Sequence, residues 1–154
     1  MDILDFAVGM EEESVAYYRR LADEAPQEGL TAAFNLLAEQ ETKHAALLKQ
    51  LKAGGFEKPD SKAFMGDVKA VFRGMLENGA GVQDGTSVIP VYRNAREMER
   101  KNEAFYREKL GEAESDEARL LLGWLAGEEA RHAQILDSMV EFVSRPEPGN
   151  WLED

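Results

Sequence analysis

Apolar side chains recur at steps of three and four residues through most of the chain, and the pattern breaks where Pro and Gly collect, which predicts amphipathic helices separated by seams. Four are long. The first spans about Asp2 to Ala25, with Leu4, Ala7, Ser14, Tyr18, Leu21 and Ala25 on one face, and Pro26 ends it. After a turn at Pro26-Gln27, the second runs from about Glu28 to Ala53, turns Leu30, Phe34, Leu37, Leu48 and Leu51 inward, and stops at Gly54-Gly55. The third opens with Ser87 as a cap and Pro90 in its first turn, and continues to about Leu110. The fourth follows Gly111, capped by Ser115 with Asp116 and Glu117 in its first turn, and reaches about Ser144 before Pro146 and Pro148. Between the second and third lies a 33-residue crossover, Gly54 to Thr86. Its centre, Ser61 to Asn78, repeats Phe64, Val68, Val71, Phe72, Met75 and Leu76 at helical spacing, so a shorter helix is expected there, followed by a Gly-rich loop at 79–85.

Laid on itself with a shift of 88 residues and no gap, the chain matches its own second half. Ala7, Met10, Glu11, Ala16, Tyr18 and Arg19 fall on Ala95, Met98, Glu99, Ala104, Tyr106 and Arg107; Leu37, Ala38, Glu41, His44, Ala45 and Leu48 fall on Leu125, Ala126, Glu129, His132, Ala133 and Leu136. Two helical hairpins of one design follow, and a single repetition of so long a unit suits one all-α four-helix bundle rather than a solenoid. A crossover of this length suggests that the two hairpins turn at opposite ends. Residues 1–145 are read as one domain and 146–154 as a tail.

Composition narrows the chemistry. At 154 residues the chain is long enough to bury a core unaided, and with no cysteine it has neither thiol catalysis nor thiolate-bound metal, so any metal binds through nitrogen and oxygen. Thirty acidic against 18 basic side chains, a net charge of −12 without a basic run, argue against nucleic acid and anionic membrane as partners. The start, Met1 to Asp5, lacks the features of a signal peptide, and no apolar run is long enough for a membrane span, so a cytoplasmic location is expected.

The only two histidines both stand three residues after a glutamate, as Glu41-Thr42-Lys43-His44 and Glu129-Ala130-Arg131-His132. Positions three apart lie about 60 degrees apart on a helix, so carboxylate and imidazole can reach one metal ion. Glu11 and Glu99 interrupt the apolar stripes of the first and third helices at equivalent places. Glu11 precedes Ala25 by 14 residues and Glu41 follows Gln27 by 14, which puts both about 21 Å from the turn and level across the hairpin. Glu99 and Glu129 repeat this around Ala113 and Ser115. Four carboxylates and two neutral imidazoles bring about −4 of charge, which two divalent cations cancel. The bland alternative is six side chains on solvated acidic helix faces. Glu12, Glu13 and Glu128 are read as surface residues, Arg19, Arg20 and Arg107 as partners of surface carboxylates, and Met10, Met98, Met139 and Trp124 as core or flank packing.

One glutamate from each of two helices plus Glu-x-x-His from each of the other two is the ligand pattern of ferritin-like di-iron and di-manganese bundles. The segments Ala7-Val8-Gly9-Met10-Glu11 through Tyr17-Tyr18-Arg19-Arg20-Leu21-Ala22, and Leu37-Ala38-Glu39-Gln40-Glu41-Thr42-Lys43-His44, resemble the rubrerythrin family of the ferritin-like superfamily, and the likeness covers all four long helices. The resemblance implies a four-helix bundle with a long crossover, two iron ions per chain, and Glu11, Glu41, His44, Glu99, Glu129 and His132 as their ligands, Glu41 and Glu129 bridging. Manganese has nearly the same ligand taste. Members often carry an extra glutamate three residues before the third-helix ligand, used when the iron shifts between redox states; here that position is Arg96, a departure from the family pattern. Of the nearby Glu97 and Glu103, the first points about 160 degrees away from Glu99, while Glu103, one turn on, is better placed.

Tyr18 and Tyr106, seven residues after Glu11 and Glu99 on the same faces, could orient a ligand or supply an electron or proton, as tyrosines do in that family; ordinary core packing is the alternative. The function expected is an oxidoreductase that reduces hydrogen peroxide or dioxygen to water, protecting against oxidative stress. Without a cysteine-ligated rubredoxin site in this sequence, a separate protein is the expected electron donor. A homodimer is the family habit. The rivals are a ferroxidase serving iron storage or delivery, and a metal-free helical interaction module.

Overall fold

The computed structural model describes residues 2–25, 28–55, 57, 62–77 and 89–144. Among them are five helices and no strand: α1 (Ile3–Glu24), α2 (Glu28–Ala53), α3 (Lys62–Glu77), α4 (Ile89–Leu110) and α5 (Asp116–Ser144). The chain is all-α, and the four long helices and the crossover helix fall where the apolar periodicity puts them. The Pro26-Gln27 turn, Ser87 as a cap, the loop at 79–85 and the tail at 146–154 lie outside the described residues. No described helix is long and apolar enough to cross a membrane.

The chain divides into two compact units, residues 1–72 with 113–121, and residues 73–112 with 122–154. In the first, Asp2 caps α1 by accepting the Asp5 N–H at 2.8 Å, and Ala25, in extended conformation, closes it. Its partner α2 runs antiparallel. Thr31 Oγ1, in the second turn of α2, donates to the Ala22 carbonyl at 3.1 Å near the end of α1. At the other end of the hairpin Lys49 reaches Glu12 at 3.3 Å, and Lys52 pairs with Asp5 and, at 3.6 Å, with Asp2. The last turn of α2 closes through Gly54, whose φ of +137° is one that side-chain-bearing residues rarely adopt. Ala7, Leu30, Leu37, Ala38 and Leu48 are completely buried, and each fully buried Leu contributes about 1.5–3 kcal/mol relative to exposure. Leu4 and Leu51, expected inside, are half-buried flank residues.

In the second unit Pro90 sits in the first turn of α4, where its missing N–H removes no helical hydrogen bond. Arg96 of α4 bonds Asp137 of α5 at 2.7 Å, while a Cβ added at Gly123 would come within 3.9 Å of Leu110. The start of one helix therefore meets the end of the other, a second antiparallel hairpin. Ala95, Leu125, Ala126, Ala133, Leu136 and Met139 are completely buried in it. In the part of α5 that belongs to the first unit, Ser115 Oγ accepts the Ala118 N–H at 3.0 Å, the cap expected there. In α3, Phe64, Val68 and Phe72 are buried, and these one-sided apolar positions account for a helix within the crossover.

Two expectations for surface arginines fail. Arg19 bonds the amide oxygen of Asn35 at 2.7 Å, and Arg20 lies 5.2 Å over the Tyr17 ring, a cation–π contact. Arg107 does pair with a carboxylate, that of Glu103 at 2.9 Å.

Candidate metal centre

Within the first unit α1 supplies Glu11 and α2 supplies Glu41 and His44, one turn apart. His44 Nδ1 lies 3.2 Å from Glu11 Oε2 and 4.0 Å from Glu41 Oε2. Each of the three offers a ligand atom within 4.8 Å of the other two, and each residue has 0% exposure. Within the second unit α4 supplies Glu99 and α5 supplies Glu129 and His132. His132 Nδ1 stands 3.1 Å from Glu99 Oε2, and these three also offer ligand atoms within 4.8 Å of one another at 0% exposure. Each hairpin thus assembles two carboxylates and one imidazole out of water.

The donor set fits a divalent first-row metal. Ligand atoms about 2.1 Å from one ion and at right angles lie roughly 3.0 Å apart, close to the histidine–glutamate separations of 3.2 and 3.1 Å. Burying an uncompensated carboxylate is costly, and a cation held by the cluster removes that penalty. In both hairpins it is Nδ1 that faces the carboxylate of the neighbouring helix, so the two imidazoles present themselves in the same sense.

Both tyrosines two turns beyond the glutamates are completely buried. Tyr18 stacks on Phe34 with ring centres 6.2 Å apart and planes at 22°, and Tyr106 meets Phe105 edge-on at 5.5 Å. Glu103 is held apart from the triad. Its carboxylate bonds Arg107 at 2.9 Å and Arg100 at 3.1 Å. Burial pushes its pKa up, but the two guanidiniums outweigh that and leave it below the ordinary glutamate value. A carboxylate so engaged is neutralised by arginine, and the reading of Glu103 as an extra ligand does not match its surroundings.

The shift of 88 pairs four buried polar residues as Ser14 with Asn102 and Gln40 with Glu128; sequence reasoning placed Ser14 on the inward face, read Glu128 as surface, and passed over Gln40 and Asn102. Ser14 and Asn102 stand three residues after Glu11 and Glu99, on the same stripe; the Ser14 hydroxyl donates to the Met10 carbonyl at 3.1 Å. Glu128, expected at the surface, is 3% exposed, with one carboxylate oxygen 3.4 Å from Arg131. The reason is its register. Leu121, Leu125 and Ile135, seven before, three before and seven after it, are all buried, so α5 buries a wider face than the Glu129 stripe alone. The signal available was the repeat itself, since Gln40 holds the equivalent place between Ala33, Leu37 and Leu47.

A sequence model of the rubrerythrin family matches residues 2–140. The chain belongs to the rubrerythrin family. The match takes in α1 to α4 and most of α5, and the helical content agrees with the family's ferritin-like bundle. Searches of curated proteins and of solved structures return no match. Family membership implies a di-iron protein with an oxidoreductase character, and the buried glutamate and histidine triads are the residues that could hold the metal.

Proposed function

We propose that the two triads form one centre for two iron ions, and that the protein reduces hydrogen peroxide, or dioxygen, to water with electrons from a separate donor protein. What carries this reading is the identity of the triads: two hairpins of one chain each bury Glu, Glu and His at equivalent positions. Family membership supports it.

In this reading Glu11, Glu41 and His44 of one hairpin and Glu99, Glu129 and His132 of the other would hold the ions. When bound, a ferrous pair supplies the two electrons that, with two protons, convert one peroxide to two waters. The chain's own contribution is position and dryness. Complete burial of the six side chains keeps bulk water from competing for open metal positions, and the low local dielectric strengthens every interaction with charge that develops there. Tyr18 and Tyr106 are assigned a supporting role, their phenol Oη atoms holding a proton near the ligand carboxylates. Phe34, stacked on Tyr18, fixes one of those rings.

The decisive experiment loads Fe(II) anaerobically, desalts, and measures iron per chain beside a His44→Ala, His132→Ala variant. The expected ratio is about two, falling steeply in the variant. A ratio near zero in both would remove the metal centre and leave a helical interaction module. Mixing the ferrous protein with peroxide and, separately, with dioxygen then chooses the oxidant: peroxide should oxidise it much faster, and equal rates would withdraw the peroxidase reading. Assembly into a closed shell of many subunits, seen by light scattering, would turn the reading toward ferroxidase and storage.

A further inference from the structure

Among the described helices α4 has the largest excess of basic side chains, six against four acidic ones, one of the four being the inward Glu99, in a chain of net charge −12. At 100 degrees per residue Arg93, Arg96, Arg100, Glu103 and Arg107 fall on one stripe, turned about 40 to 120 degrees from Glu99. The stripe is about 21 Å long and its midpoint, Arg100, is at the level of Glu99. Its guanidiniums meet solvent: the side chains of Arg96, Arg100 and Arg107 are 30%, 45% and 56% exposed, and Arg93 is exposed as well.

Neutralisation of the stripe is incomplete. Glu103 lies between Arg100 and Arg107, and Asp137 of α5 and Glu97 reach Arg96 at 2.7 and 3.5 Å. Arg93 forms no ion pair among the described residues. The same stripe of α1, 88 residues earlier, reads Asp5, Val8, Glu12, Val15 and Arg19, and there Lys52 and Lys49 of α2 answer both carboxylates. Equivalent positions thus carry a cationic band in one hairpin and a balanced one in the other.

A positive band on a strongly negative protein orients the approach of a partner, drawing the acidic patch of another macromolecule toward that band. A nucleic acid, acidic along its whole length, would meet the remaining negative surface, whereas a small protein with one acidic patch would not. The band's length suits the small interfaces, under about 1,200 Å² in total, of transient electron-transfer encounters. From the band to the carboxylate of Glu99 is no more than the width of one helix, about 10–12 Å.

We propose that the arginine stripe of α4 is the docking face for a small acidic one-electron donor protein. This rests on the reading of the triads as a reducible two-iron centre. Two successive encounters deliver two electrons, one to each ferric ion, and each donor leaves oxidised by one electron; no proton or group is transferred. A second copy of this chain brings its own net charge of −12 spread over the whole molecule rather than in one patch, and its self-association is an outcome the test below reads.

The test uses a reduced acidic rubredoxin as the probe, with the full chain and an Arg93→Asp, Arg100→Glu variant that installs the residue types of positions 5 and 12. Association is measured first with metal-free protein over a range of salt. The expected result is at least about tenfold weaker association of the variant at low salt, a flatter salt dependence, and an intermediate loss for Arg93→Gln, Arg100→Gln. Reduction of the ferric protein by rubredoxin should slow in parallel, while reduction by methyl viologen radical cation stays unchanged. Association that is indifferent to the substitutions or to salt would overturn the docking face, as would self-association of the wild-type chain through the same arginines. If viologen finds no reducible iron in the wild-type protein, the two-iron reading fails, and the metal-free association still decides the docking face.

Discussion

Glu11, Glu41 and His44 in the α1–α2 hairpin are matched in residue type by Glu99, Glu129 and His132 in the α4–α5 hairpin, whereas Asp5 and Glu12 stand where the second hairpin has Arg93 and Arg100. The interior agrees and the outer stripe is inverted in charge. Physical stakes explain the contrast. A buried carboxylate without a compensating cation is costly by several kcal/mol, so four glutamates kept at equivalent buried places are not there for folding stability. An exposed ion pair is worth about 0–1 kcal/mol, so Lys49 with Glu12 in one hairpin and Asp137 with Arg96 in the other are nearly free to exchange sign and register. What is equal between the hairpins is therefore what burial constrains, and what differs is what folding stability leaves free to vary.

The sharpest way to break the comparison is to remove one glutamate from each half. If the hairpins contribute equally, Glu11→Ala and Glu99→Ala should each lower bound iron from about two per chain to about one or less. Each should also reduce the rise in Tm that iron gives the wild-type protein, because a ligand bound at 100 times its Kd stabilises by about 2.7 kcal/mol per site. Iron analysis and calorimetry read this directly. Loss of iron in one variant and full retention in the other would show that only one hairpin binds metal.

Next in size is the core. Leu37 and Leu125 occupy equivalent positions, and both are completely buried. Leu→Ala at either should destabilise the metal-free protein by about 2–5 kcal/mol, with values for the two sites close to each other. Urea unfolding of the pair measures the symmetry of packing as iron binding measures that of the ligands. A difference of several kcal/mol would mean that the shared pattern hides unequal cores.

Much of this was legible in the chain. Helix limits were, because caps and breakers act within a few residues: α2 ends at Gly54, α5 begins at Ser115, and α1 is bounded by Asp2 and Ala25. The six buried glutamates and histidines were too, since Glu-x-x-His at helical spacing and the shift of 88 agree on the same faces. Side-chain partners on the surface were not. Arg19 chose an asparagine, Arg20 a tyrosine ring, and Glu103 two arginines, because several partners lie within reach of a long side chain and differ by less than 1 kcal/mol. Glu128 was misplaced for another reason: helical periodicity gives the centre of the buried stripe but not its width, which depends on how much of α5 the neighbouring elements cover.

The smallest expected effect separates the two hairpins by pH. Asp2 caps α1 with a carboxylate, and Ser115 caps α5 with a hydroxyl that does not titrate. The Asp5 N–H bonded to Asp2, with Lys52 nearby, outweighs partial desolvation and lowers its pKa from the ordinary 3.8. A carboxyl with a depressed folded-state pKa stabilises fully above its unfolded value, and the contribution disappears as pH falls through the lower folded value. Asp2→Asn should therefore be destabilising near neutrality and progressively less so below pH 3.8, the wild-type and variant curves converging in acid. Ser115→Ala should lose about 1 kcal/mol at every pH. Urea titrations across that range test both together. If the two substitutions show the same pH dependence, Lys52 and the helix terminus do not act on Asp2 as its surroundings require, and the electrostatic difference drawn between the hairpins would have to rest on the arginine stripe alone.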